Sequence, residues 1–206
     1  MNIDTYYKNL GKSLSKVGHL RFDPNNEKDQ ASDLLHIIQK YNCKNILEIG
    51  FNAGHSADFF LSINDNIKLT SFDIGEMESV LYGKSFIDTK YPFRHNLIIG
   101  DSKKTVPQYF QNYPRTKFDL VFIDGAHEFM DSLTDLVNCK NLSHKNTIVV
   151  MDDTRYSEPF KSWTVGPSEC WQNCLDKKYI KELGRSDYNY KDFPWKGQSW
   201  GLYENF

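Results

Sequence analysis

The chain is 206 residues long, with 25 Lys and Arg against 27 Asp and Glu, a formal net charge of -2 and a hydrophobic fraction of 39%. That length suits one domain with a sizeable core, and the charge balance carries no electrostatic footprint for nucleic acid. No run of about 18 apolar residues is present to span a membrane, and the N-terminus lacks the apolar stretch of a signal peptide.

Residues 1–30 are polar, with a short helix expected near Tyr6 to Val17 and turn chemistry at Asp23-Pro24-Asn25-Asn26. Leu34, Leu35, Ile37 and Ile38 suit one face of a helix over Ser32 to Tyr41. The first strand is predicted at Asn45 to Gly50, followed by a helix over Ser56 to Asn64 and a second strand over Lys68 to Asp73. A helix is predicted over Glu76 to Lys90 and a third strand over Asn96 to Gly100. The next helix is placed at Thr105 to Gln111, with Pro107 in its first turn. Phe118 to Asp124 is the most apolar strand, Glu128 to Cys139 a helix, and Thr147 to Met151 the fifth strand. Lys178 to Leu183 and Ser199 to Glu204 read as two closing strands. Tyr188, Tyr190, Phe193, Trp195 and Trp200 are expected to pack on them. Strands that alternate with helices and read as continuous apolar runs indicate an α/β fold, a parallel sheet covered on both faces.

The cysteines, Cys43, Cys139, Cys170 and Cys174, read as reduced thiols of a cytoplasmic protein. Cys170 and Cys174 have half the spacing of a zinc site, but no second Cys/His pair completes it.

Chemistry concentrates where ligands of open α/β sheets bind, beyond the C-terminal ends of the strands. Glu48, Asp73, Asp101, Asp124, Asp152 and Asp153 all stand there. Gly50 and Gly54 follow the first strand, a spacing that allows a tight turn and a close backbone approach to a ligand at a helix N-terminus. It is not the Gly-x-Gly-x-x-Gly of dinucleotide binders. Asp124, Asp152 and Asp153 would repel one another unless neutralised, and a hard cation with oxygen ligands, Mg²⁺ or a similar divalent ion, would do so. His127, just after Asp124, reaches the same mouth and has the titration range of a general base.

Glu-x-Gly-x-x-x-Gly-x-Ser at 48–56 resembles the cofactor loop of class I S-adenosylmethionine (SAM) methyltransferases. Ile-Asp-Gly-Ala-His at 123–127, with the paired acids at 152 and 153, resembles the metal-dependent O-methyltransferases, the macrocin/mycinamicin sugar branch more than the catechol branch. The resemblance covers Asn45 to Asp153. It implies a Rossmann-like, mostly parallel seven-stranded sheet with an antiparallel last strand, in a single domain over 1–206. It further implies that Glu48, Gly50, Phe51, Asn52, Gly54 and Ser56 hold the methionine end of SAM, Asp73 the ribose, and Asp101 with Ser102 the adenine. Asp124 also borders the cofactor and, with Asp152 and Asp153, holds the metal. His127 takes the acceptor's proton, which makes Asp124 and His127 the catalytic pair.

The implied reaction is methyl transfer from SAM to a hydroxyl of a small vicinal diol, a sugar or glycoconjugate first. S-adenosylhomocysteine (SAH) is the product. A catechol or phenol methyltransferase and a non-catalytic SAM-binding module are the alternatives. No nucleic acid or membrane partner is implied, and a homo-oligomer is compatible. Residues 1–40 would form an N-terminal cover, and 154–175, with Arg155, Tyr156, Phe160, Trp163 and Trp171, a candidate acceptor loop turned at Gly166-Pro167.

Overall fold

The computed structural model describes residues 28–188 and 196–204. The helix expected near Tyr6 to Val17, the turn at Asp23-Pro24, and Tyr190, Phe193 and Trp195 lie outside them. Helix α1 (Lys28–Tyr41) leads into β1 (Asn45–Ile49), α2 (His55–Ile63), β2 (Lys68–Asp73), α3 (Glu78–Lys90) and β3 (His95–Ile99). There follow α4 (Ser102–Asn112), β4 (Phe118–Ile123), α5 (Phe129–Lys140), β5 (Ser143–Asp152), α6 (Ser162–Asp176), β6 (Ile180–Tyr188) and β7 (Lys196–Tyr203). The seven strands form one sheet in the order β3-β2-β1-β4-β5-β7-β6. Strands β1 to β5 run parallel, and β7 inserts antiparallel between β5 and β6. This is a Rossmann-like α/β architecture, with the antiparallel last strand that the resemblance implies.

The period-2 alternation of strands explains why both sheet faces are covered. Ile46, Leu120, Phe122, Ile148 and Val150 face one core, with Leu34, Ile37 and Ile38 of α1 and Phe60 of α2. Their neighbours Leu47, Val121, Ile123, Val149 and Met151 face the other, with Val106 of α4, Leu136 of α5 and Trp171 of α6. All four cysteines are buried and unbridged. No described helix is long and apolar enough to cross a membrane.

Two local expectations fail. Pro107 is not in a first turn, because α4 begins at Ser102 and the proline sits inside it. Gly166-Pro167 is not a turn either: it lies within α6. A Cβ at Gly166 would come 2.2 Å from the His127 carbonyl oxygen, so the glycine lets α6 pack against the segment after β4. Burial of Cys170, Trp171 and Cys174 on the same helix outweighs the local turn preference.

Candidate functional site

A tight loop follows β1. Gly50 has φ 92 and Gly54 φ 81, both in the left-handed region. Asp73, at the end of β2, organises the loop: its Oδ2 accepts from the N–H of Phe51 (2.9 Å) and Asn52 (2.8 Å), and its Oδ1 from Gly75 (2.8 Å). Each oxygen keeps acceptor capacity for a ligand hydroxyl.

Behind the loop, Glu48 is fully buried and accepts hydrogen bonds from the hydroxyls of Ser56 and Ser71. Burial pushes its carboxyl up to about 7, against the pull of those two serines. Ser71 also contacts His95 Nε2 at 3.0 Å, and the His95 ring stacks on Phe51. Glu48 therefore supports the loop from below, and it does not line the cavity above it.

That cavity, of about 1920 Å³, opens along the C-terminal edge of the sheet. It exceeds the roughly 300–1,000 Å³ of a single small-ligand pocket, so two ligands could lie side by side. Gly50, Phe51, Asn52, Ser56, Asp73, Asp101, Ser102, Asp124, His127 and Asp152 line it; Glu48, Gly54 and Asp153 do not. At one end Asp101 caps α4, accepting from the Lys103 N–H at 3.1 Å. Ser102 bonds the carboxylate of Asp135, a buried residue of α5 whose carboxyl burial pushes up to about 6.

At the other end the acids meet. Asp124 follows β4, and its carboxyl is held well above the usual range by burial first, then by the charges of Asp152 and Asp153. Asp152 is pushed up to about 6 by burial and by Asp153, while Lys196 opposes the shift; its Oδ1 accepts from Gln30 Nε2 at 2.6 Å. His127 Nε2 stands 2.9 Å from Asp153 Oδ2, and that hydrogen bond raises the proton affinity of the ring.

Ligand atoms of Asp124, His127 and Asp153 lie within 4.8 Å of one another. The Oδ1 of Asp153 is buried without a hydrogen-bond partner, on a residue with φ 54. Oxygen donors, an orphaned carboxylate oxygen and a carboxyl whose ionised form is disfavoured by burial and by the charges of its neighbours fit a hard divalent cation.

Several residues were not legible as site residues in the sequence. Asp135 sits mid-helix, where an acid reads as a solvated face. Gln30 and Lys196 line the acidic end from α1 and β7. Nothing local marks either; only the insertion of β7 beside β5, with Asp152 paired to Gln198, brings Lys196 there.

Parts of the segment expected over the acceptor are buried, Arg155, Cys170 and Trp171 among them. No residue of 154–175 lines the large cavity. The Arg155 side chain is fully buried and stands 3.3 Å from Asp187, and it also donates to the Lys196 carbonyl at 2.8 Å. Trp171 is core, its Nε1 donating to Glu182 at 2.8 Å. Tyr156 and Phe160 line a separate cavity of about 510 Å³.

The methyltransferase domain family matches residues 47–154. No curated protein matches the sequence. Among solved structures, the chain is similar to an O-methyltransferase from Bacillus cereus in complex with SAH: TM-score 0.69, 15% identity, 98% of this chain and 100% of that one covered. It is similar to the O-methyltransferase TomG from Streptomyces achromogenes, in complex with SAM: TM-score 0.69, 14% identity, 100% and 91% covered. It also resembles the apo form of CalS11, a TDP-rhamnose 3'-O-methyltransferase of calicheamicin biosynthesis: TM-score 0.62, 18% identity, 98% and 92% covered.

Proposed function

The chain belongs to the methyltransferase domain family, and from that premise we propose that it is an O-methyltransferase. It would transfer the methyl group of SAM to a hydroxyl of a small vicinal diol, a sugar or glycoconjugate, with a divalent cation. One observation carries the reading: a single cavity joins the glycine loop after β1 to Asp124, His127 and Asp152, with Asp153 held against His127. The neighbours named for O-methylation, one of them acting on a nucleotide sugar, support it.

The acceptor oxygen attacks the sulfonium methyl carbon in line, the carbon–sulfur bond breaks and SAH leaves. The sulfonium is already activated, so the protein mainly positions the reactants and removes the acceptor's proton. Asp124, Asp152 and Asp153 would hold the cation, which favours the deprotonated form of a hydroxyl bound to it. Asp153 orients the His127 ring, which receives the proton. The glycine loop and Asp73 hold the cofactor so that its methyl points toward that end.

Thermal unfolding tests the cofactor. At a ligand concentration of about 100 times Kd, binding adds about 2.7 kcal/mol, a rise of roughly 5–10 °C for a domain of this size. SAM or SAH is expected to give that shift and NAD⁺ none. A chain indifferent to both SAM and SAH would end this reading.

The His127→Ala variant separates two roles. As the base, His127 is worth about 10²–10⁴ in kcat, with cation affinity unchanged. A tenfold loss of Mn²⁺ affinity in the variant would instead make the ring a metal ligand, which its place within 4.8 Å of Asp124 and Asp153 also favours. An unchanged pH–rate profile would assign the base elsewhere.

A further inference from the structure

Lys196 opens β7 and lines the acidic end of the large cavity with Gln30, Asp124, His127 and Asp152. The sheet puts it there. Strand β7 runs antiparallel to β5 with Gln198 paired to Asp152, so the chain at Lys196 lies beside the residues that follow Asp152. Residues two apart on a strand share a face. Gln198 is buried, with its Nε2 3.5 Å from the Gln30 carbonyl oxygen, and Lys196 leaves the strand on that same side.

The backbone of Lys196 is fixed by groups that the methyl transfer does not use. The buried Arg155 side chain donates to the Lys196 carbonyl at 2.8 Å and to the Ser157 carbonyl at 3.0 Å, and it stands 3.3 Å from Asp187. Asp187 pairs with Gly197 across β6 and β7. A Cβ at Gly197 would come 2.3 Å from the Thr154 carbonyl oxygen, so β7 packs directly on the backbone just after Asp153. The lysine is thus rooted beside the three acids rather than carried on a free loop.

Two lysines line the cavity among the described residues. Lys103 stands at the Ser102 end, 2.9 Å from Asp131. Lys196 brings its charge to the other end, where it opposes the upward shifts of Asp124, Asp152 and His127. Three ionised carboxylates and one divalent cation leave a single negative charge, which this ammonium cancels. A fixed ammonium repels an incoming dication and favours an acceptor oxygen in its ionised form.

We propose that Lys196 sets the charge of the acceptor end, weakening the hold of Asp124, Asp152 and Asp153 on a divalent cation. The inference rests on the metal-dependent reading above.

Mn²⁺ titration, followed by the electron paramagnetic resonance of the free ion, tests it on the wild-type chain, Lys196→Met and Lys196→Arg. Lys196→Met is expected to bind Mn²⁺ at least about fivefold more tightly, as for removal of one unit charge from a partly solvated site. Lys196→Arg keeps the charge and is expected to stay within about twofold of the wild type. Equal or weaker binding by a folded Lys196→Met chain overturns the proposal, and so does a Lys196→Arg chain that tightens as much as Lys196→Met. Melting curves check the fold. Lys196→Gln carries the same expectation and decides if Lys196→Met does not fold. Mn²⁺ binding by none of the chains would end the metal reading and this proposal with it, an outcome distinct from equal binding by all of them.

Discussion

Asp124→Ala is expected to lower methyl transfer by about 10³-fold or more while the chain stays folded. The loss corresponds to the several kcal/mol of charge stabilisation that a bound cation contributes. Retention of fold follows from where the residue is held. Its backbone N–H donates to the Ile49 carbonyl at 2.9 Å, a bond that alanine keeps. Its carboxyl is kept well above the usual range by burial and by Asp152 and Asp153, so removing it relieves repulsion. Far-ultraviolet circular dichroism and a melting curve check the fold; methyl transfer with and without EDTA checks the site. Full activity of the wild type in EDTA would refute the metal role.

Gly50→Ala is expected to destabilise the chain by about 3 kcal/mol or more and to abolish SAM binding. The new Cβ would come 1.9 Å from the Asp124 carbonyl oxygen, a backbone atom that cannot swing aside. The position also has φ 92, which L side chains rarely adopt. Gly125→Ala is the contrast, since its Cβ would meet the Ile49 side chain at 3.0 Å rather than backbone. Urea unfolding of the two variants should separate them clearly. A Gly50→Ala chain within 1 kcal/mol of wild type, still binding SAM, would mean that the β1 loop does not press on the β4 end as described.

The strand order itself was not legible in single segments, but the strands were. Lys68–Asp73 has the bounds its pattern indicates, and the other parallel strands start or end within a few residues of theirs. Buried strands advertise themselves as short apolar runs between glycines and acids. Helix α6 was missed because Gly166-Pro167 and its mixed aromatic composition mask the period. Its helical state comes from burial of Cys170, Trp171 and Cys174 on one face, a tertiary effect.

The site divides along the same line. Gly50, Asp73, Asp124 and His127 were legible because strand end, glycine turn and acid are neighbours in the chain. Their roles within the site were less so. Glu48 turns inward to Ser56 and Ser71, Asp101 caps a helix, and Asp152 pairs with Gln30 across the molecule. The sequence by itself therefore determined which strand ends carry acids and where the backbone must turn tightly, because propensity, periodicity and glycine freedom act over a few residues. Only the tertiary structure decided which acids share a field and which residues join them. Asp135, Lys196 and Gln30 reach the cavity through helix packing and the antiparallel insertion of β7, contacts between segments far apart in the chain that no local pattern encodes.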